Sequence, residues 1–163
     1  TKLEKELDMI DLNIKAVHAL TKQFVKDFKE KNSGYILNVA SSAGFMPGPY
    51  MSTYYATKAY VLHLTEAIHE ELRRDDSNVY IGALCPGPVD TNFNKVAGVE
   101  FSLKGLQSYE VAQYTIDKMF KHKMIIVPGI QMKCAMFGIR FLPRKLVAKI
   151  AANFQRKKGS KNG

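Results

Sequence analysis

Tyr54 and Lys58 stand four residues apart in the run Tyr54-Tyr-Ala-Thr-Lys58-Ala. On a helix that spacing puts both side chains on one face, one turn apart. A phenol is a poor acid or base near neutrality, with an ordinary pKa of about 10. An ammonium beside it favours the phenolate and lowers that value. A phenol tuned in this way can exchange a proton with the oxygen of a carbonyl/alcohol pair. Ser41, thirteen residues earlier, offers a hydroxyl that can hydrogen-bond the same oxygen and hold it in line. Taken alone, Tyr54 and Lys58 could be an exposed helix couple worth about a few tenths of a kcal/mol. That reading leaves Ser41 unexplained.

The elements that must position these residues follow from hydrophobic period and turn residues. Leu3, Leu7, Ile10, Ile14, Val17, Phe24 and Phe28 share one helical face, which predicts a helix over residues 3–31 ended by Asn32-Ser33-Gly34. Residues 35–40 read as a short buried strand, with Ser41 at its C-terminal end. Gly44, Pro47, Gly48 and Pro49 make residues 41–51 a loop. A second helix is expected from Ser52 to Arg74, burying Ala59, Leu62 and Ala67. Val79 to Cys85 reads as a second buried strand, stopped by Pro86-Gly87-Pro88, and residues 89–108 read as irregular. A helix carrying Val111, Ala112, Tyr114, Ile116 and Met119 then leads to a third strand, Met124 to Val127, ended by Pro128-Gly129. Helices and strands alternating over short connections predict an α/β fold with a parallel sheet and right-handed crossovers. Ligands of such sheets bind at the C-terminal ends of the strands, where Ser41 lies.

Bulk properties narrow the field. A chain of 163 residues with 46% hydrophobic and 24% charged residues is one globular domain with a single core. No apolar run reaches the roughly 18 residues of a membrane span, and no secretory signal is visible. Cys85 and Cys134 lie in unrelated contexts and are expected to be reduced thiols in a cytoplasmic protein. His18, His63, His69 and His122 show no metal-ligand spacing, so no metal site is expected. Recognition motifs and aromatic stacking platforms for nucleic acid are absent from the sequence. The net charge of +9 is strongly segregated. Residues 118–163 hold 12 of the 24 basic residues and no acidic one, so the first 117 residues, with 12 basic against 15 acidic, carry −3.

Three segments in order, Asn38-Val-Ala-Ser41-Ser-Ala-Gly44, Tyr54-Tyr-Ala-Thr-Lys58-Ala and Cys85-Pro-Gly-Pro-Val-Asp-Thr91, resemble the signature of the short-chain dehydrogenase/reductase family. The resemblance runs over residues 11–128. It implies a Rossmann-type doubly wound parallel sheet with helices on both faces. It also implies an NAD(P)-dependent oxidoreductase that moves a hydride between a nicotinamide cofactor, NADP or NAD with NADP favoured, and a carbonyl/alcohol substrate. In that frame Tyr54 is the general acid/base and Ser41 the partner of the substrate oxygen, with Ser42 as its competitor. Lys58 lowers the Tyr54 pKa and bonds the nicotinamide ribose, and Asn13 holds a water in the proton relay. Pro86, Gly87, Val89 and Thr91 contact the nicotinamide carboxamide and a nearby phosphate. The loop around Asn92 to Leu106 chooses the substrate. The family's opening T-G-x-x-x-G-x-G turn, which seats a pyrophosphate on a helix N-terminus, has no counterpart here. The expectation is therefore an N-terminally truncated sheet of about three strands, the catalytic part of a longer enzyme.

Residues 130–158 form a basic amphipathic extension, with Met132, Cys134, Met136, Phe137, Ile139 and Phe141 followed by Pro143-Arg-Lys and a stretch to Phe154. It could pack on the sheet or a second subunit. It could also lie on an anionic membrane or cover a lipid-like substrate. The expected division is residues 1–129 as the catalytic part, 130–158 as the extension and 159–163 as a disordered tail. An uncovered sheet edge predicts a homo-oligomer. The alternative to an enzyme is a non-catalytic scaffold or membrane-surface module that retains the site residues as relics. The expected location is the cytoplasm, peripheral to a membrane if the extension makes that contact.

Overall fold

The computed structural model describes residues 2–91 and 105–159, with side chains described up to Asn153. Helix α1 (Leu3–Ile10) widens into a π-helical stretch (Asp11–Ala16) and continues as α2 (Val17–Lys31). Asn32 ends α2 in the left-handed region, with φ at 44°. Its N–H bonds the Lys29 carbonyl at 3.0 Å, and the Ser33 N–H reaches the Phe28 carbonyl at 3.1 Å. This is the C-cap geometry that satisfies otherwise orphaned carbonyls. Strand β1 (Gly34–Val39), a 3-10 turn (Ser42–Phe45), α3 (Ser52–Arg74) and β2 (Val79–Leu84) follow. Then come β3 (Val89–Asp90), β4 (Leu106–Gln107), α4 (Ser108–Phe120) and β5 (Ile125–Ile126). The chain closes with α5 (Ile130–Gly138), a second 3-10 turn (Ile139–Phe141) and α6 (Arg144–Gly159).

The main sheet has the order β1-β2-β5, all parallel. Gly34 pairs with Val79 and Val39 with Leu84, so the C-terminal ends of β1 and β2 are level. Pairing continues past the strands: the Ala40 N–H bonds the Leu84 carbonyl at 2.8 Å, and the Ser42 N–H bonds the Pro86 carbonyl at 2.9 Å. This register brings Ser41 beside Cys85 and Pro86. Helix α3 lies across the sheet and buries Val61, Leu62, Ile68 and Leu72. Ala40, Val61, Leu62, Ala83, Cys85, Val127 and Met136 form one core cluster, and Ile36, Ile68, Leu72, Val79 and Ile81 a second. Each large apolar side chain so buried contributes about 1.5–3 kcal/mol.

The α/β class and the three parallel strands agree with the sequence, and α3 has the expected bounds. Several local expectations do not hold. Strand β1 is the sheet's edge and its outer face stays partly open: Tyr35 is 45% and Val39 56% exposed, with Tyr35 touching Phe120 at the end of α4, ring centroids 5.3 Å apart. Along α1 and α2, Leu3, Leu7 and Phe24 are exposed while Val17, Val25 and Phe28 pack on the core. Ala67 on α3 points outward. The third strand shrinks to two residues. The span expected to be irregular holds a two-residue parallel pairing, Val89 with Leu106 and Asp90 with Gln107. The extension shares the main core through Met136, with Met132 and Ile139 packed against it. Helix α6 includes Gly159, so a tail begins no earlier than residue 160, outside the described residues.

Candidate active site

Ser41 leaves β1 in an extended conformation and caps the 3-10 turn that follows, its Oγ accepting the Ala43 N–H at 3.1 Å. Gly44 lets this turn press onto α3. A Cβ at Gly44 would stand 2.8 Å from the Lys58 carbonyl oxygen and 3.1 Å from its carbon. That contact is with backbone, which cannot swing aside, so any larger residue pushes the Ser41 loop off the helix. The loop therefore sits directly against the turn of α3 that carries Tyr54 and Lys58.

The Ser41 hydroxyl stands close enough to the Tyr54 phenol to act on its ionisation. Ser42, the other candidate serine, opens the 3-10 turn and gives its backbone N–H to the Pro86 carbonyl at 2.9 Å. Burial raises the Tyr54 pKa above its ordinary value, the Ser41 hydroxyl acts to lower it, and the neighbouring Tyr55 raises it. The Tyr54 and Tyr55 rings meet edge to face with centroids 6.1 Å apart. Lys58 was expected to lower the phenol. In the structure its ammonium donates to the Val39 carbonyl at 3.1 Å and lies 5.9 Å from the Tyr54 ring centroid, and burial dominates the phenol. Burial also holds the Lys58 ammonium below its usual range, with the Cys85 side chain acting in the opposite sense.

Asn13 sits in the π-helical stretch, and its Nδ2 donates to Thr57 Oγ1 at 3.1 Å. Thr57, between Tyr54 and Lys58 and almost fully buried, donates its own hydroxyl hydrogen bond to the Tyr54 carbonyl at 2.8 Å. Thr57 is a residue that motif reading overlooked. A second such feature is the buried Asn38, which accepts from Thr21 on α2 at 3.2 Å and donates to Thr65 on α3 at 3.0 Å. This polar bridge ties the strand that ends at Ser41 to the two helices packed beside each other on its buried face. A polar residue in an otherwise apolar strand was its one visible signal.

Pro86, Gly87 and Val89 lie along the chain leaving β2, with Thr91 exposed at the limit of the described segment. Gly87 was expected to allow a cofactor close to the backbone. Here the space its Cβ would fill is taken by the Met132 methyl of α5, at 2.4 Å. Residues 92–104 of the expected substrate loop fall outside the described residues. The donors present fit the ribose and nicotinamide end of a dinucleotide. Lys58 spends one of three N–H donors on Val39, and Tyr54 and Ser41 present hydroxyls at the same strand end. Among the described residues no group of three His, Cys, Asp or Glu side chains could hold a metal. Cys85 is fully buried and its thiol is pushed up to about 12, chiefly by that burial, so it is an inert packing residue.

A family model described as short chain dehydrogenase matches residues 2–99. The chain belongs to the short-chain dehydrogenase family. A human member, "Dehydrogenase/reductase SDR family member 11", is 30% identical over 139 residues, which cover 77% of this chain and 54% of that protein. The "Very-long-chain 3-oxoacyl-CoA reductase" of Anas platyrhynchos is 30% identical over 108 residues, covering 66% of this chain and 34% of that protein. The short-chain dehydrogenase of Sphingobium yanoikuyae, solved in complex with NADPH, superposes with a TM-score of 0.73 at 26% identity, over 86% of this chain and 56% of that one. A short-chain dehydrogenase/reductase from Burkholderia phymatum in complex with NAD shares the fold, with a TM-score of 0.73 at 20% identity, over 84% of this chain and 58% of that one. The chain spans between about a third and about a half of the length of these two curated relatives.

Proposed function

We propose that this short-chain dehydrogenase is an NAD(P)-dependent oxidoreductase acting on a carbonyl/alcohol substrate, with residues 1–129 carrying the catalytic groups. The observation that carries the reading is the convergence of Ser41, at the C-terminal end of β1, with Tyr54 and Lys58, one turn apart on α3, where the Gly44 turn is pressed onto the Lys58 backbone and Lys58 reaches the Val39 carbonyl. The relatives' nicotinamide cofactors and carbonyl chemistry support it. When bound, a nicotinamide cofactor would supply or accept the hydride at the substrate carbon. Tyr54 gives its phenolic proton to the substrate oxygen in the reductive direction, and Ser41 hydrogen-bonds that oxygen and fixes its approach. Lys58 bonds the ribose hydroxyls and, as a cation, favours the phenolate left after transfer. Asn13, through Thr57, holds the helix turn that carries Tyr54, and its water-relay role is part of the same proposal. Pro86, Gly87, Val89 and Thr91 border the nicotinamide. NADP is favoured over NAD. The substrate is a small molecule with an apolar, lipid-like portion, in keeping with the acyl-CoA reductases among the relatives. The enzyme works as a homo-oligomer in the cytoplasm.

The test is NADPH-dependent reduction of a ketone and 3-oxoacyl-thioester panel, with nicotinamide fluorescence as a binding readout. Tyr54→Phe should lower kcat by about 10²–10⁴-fold with NADPH still bound, and Lys58→Ala should weaken NADPH binding. Undiminished turnover in Tyr54→Phe would refute the catalytic assignment. Absence of nicotinamide binding to the 163-residue chain would favour the scaffold reading.

A further inference from the structure

The C-terminal helices have two unlike faces. On α5, Met132 and Met136 turn inward and pack beside Ala40, Phe45 and Met46 next to the candidate site. The opposite face carries Ile130, 74% exposed, Phe137, 62% exposed, and Phe141, 73% exposed, at steps of seven and four. The Phe137 and Phe141 rings meet edge to face with centroids 5.2 Å apart, forming an outward aromatic pair. On α6, Val147 and Ala151 are buried while Leu146 and Ile150 stand partly open beside them. Arg140, Arg144, Lys145 and Lys149 are exposed among these apolar groups. From Lys118 to the last residue there is no Asp or Glu.

We propose that this outer face of α5 and α6 is a docking surface for an anionic lipid bilayer. An apolar stripe with aromatic side chains, flanked by arginine and lysine, is the chemistry that lies flat in a headgroup region. The rings and aliphatic groups enter the boundary with the acyl chains while the cations meet lipid phosphates and carboxylates. A second copy of the chain is a poor occupant. In a two-fold interface the same patch would face itself, opposing two sets of cations with no carboxylate between them. No helix among the described residues is long and apolar enough to cross a membrane, so the contact is a surface one. The inference is independent of the proposed reaction.

Flotation of the 163-residue chain with vesicles tests it, because protein aggregates sink and bound protein rises. The chain should float with mixed phosphatidylserine–phosphatidylcholine vesicles and stay behind with pure phosphatidylcholine. Arg140→Glu with Lys145→Glu should reduce flotation by at least about fivefold per charge lost. Phe137→Ser with Phe141→Ser, both exposed, should reduce it without changing far-ultraviolet circular dichroism. A second readout needs no substitution. Cys134 lies on the same outer face and is exposed, whereas Cys85 is buried, so a polarity-sensitive fluorophore attaches at Cys134. Its emission should shift to the blue on the serine-containing vesicles alone. The proposal is overturned if the chain does not float, floats equally with neutral vesicles, or floats undiminished after charge reversal. Salt-insensitive self-association through Phe137 and Phe141 in place of flotation also overturns it and makes the face an interface between copies.

Discussion

Tyr54 experiences opposing influences: burial raises its pKa, and the Ser41 hydroxyl pulls it down. If a neutral phenol gives the proton in the reductive direction, kcat should hold at low pH and fall as Tyr54 ionises. Ser41→Ala removes the lowering influence, so the alkaline limb of the kcat profile should move to higher pH. A limb that stays in place would show that the serine does not act on the ionised phenol. Elsewhere, burial pushes Tyr80 up to about 12 from 10.0 and Cys85 up to about 12 from 9.0. Both values are higher folded than unfolded, so the native state keeps these protons longer. Their contribution to stability is complete below the unfolded values and is lost as pH rises through the folded ones. Urea midpoints should therefore decline from about pH 9 toward pH 12, and Cys85→Ala should lessen the decline. An equal decline in that variant would remove the thiol from the account.

At the scale of elements, the site depends on how three segments are pressed together: the Ser41 turn, α3 and the π-helical stretch. Thr57 joins two of them, accepting from Asn13 and donating to the Tyr54 carbonyl. Thr57→Val keeps the shape, removes both bonds and leaves Asn13 without this partner. It should cost about 1–3 kcal/mol in denaturant unfolding and lower kcat more than it raises KM. Unchanged stability and kcat would mean the bridge positions nothing. Much of this arrangement was legible in sequence. Ser41, Tyr54 and Lys58 stand at fixed offsets, and Gly and Pro mark the ends of β1, β2 and β5. Thr57 was not legible, because its partner lies 44 positions away and any small residue preserves the helix pattern. The pairing of Val89 with Leu106 was not legible either, since two-residue strands carry no period. The exposure of Tyr35, Val39 and Ala67 escaped because a local apolar pattern does not say which neighbour covers it. The π-helical stretch is built from Asp11-Leu-Asn-Ile-Lys-Ala, residues at home in an ordinary helix.

For the whole molecule, β1 is an edge strand with Val39 and Tyr35 open, next to helices that expose Leu3, Leu7, Leu12, Leu20 and Phe24. Such an edge with apolar flanks favours association. The 18.3 kDa chain should sediment as a dimer or larger species, and Val39→Lys with Phe24→Lys should shift it toward monomer. A monodisperse monomer before substitution would count against that expectation. The widened turn at Asp11–Ala16 has a further consequence for how the two ends of this long helix are phased. Downstream of it α2 is fixed to the sheet by Thr21; upstream α1 is tied to α3 where Thr53 donates to Glu6 at 2.6 Å. A π turn holds one more residue than an α turn. Deleting a single residue there would restore a regular helix and rotate everything before it by about 100°, turning Glu6 away from Thr53. The stretch thus works as a one-residue vernier, setting which side of the N-terminal helix the rest of the protein meets.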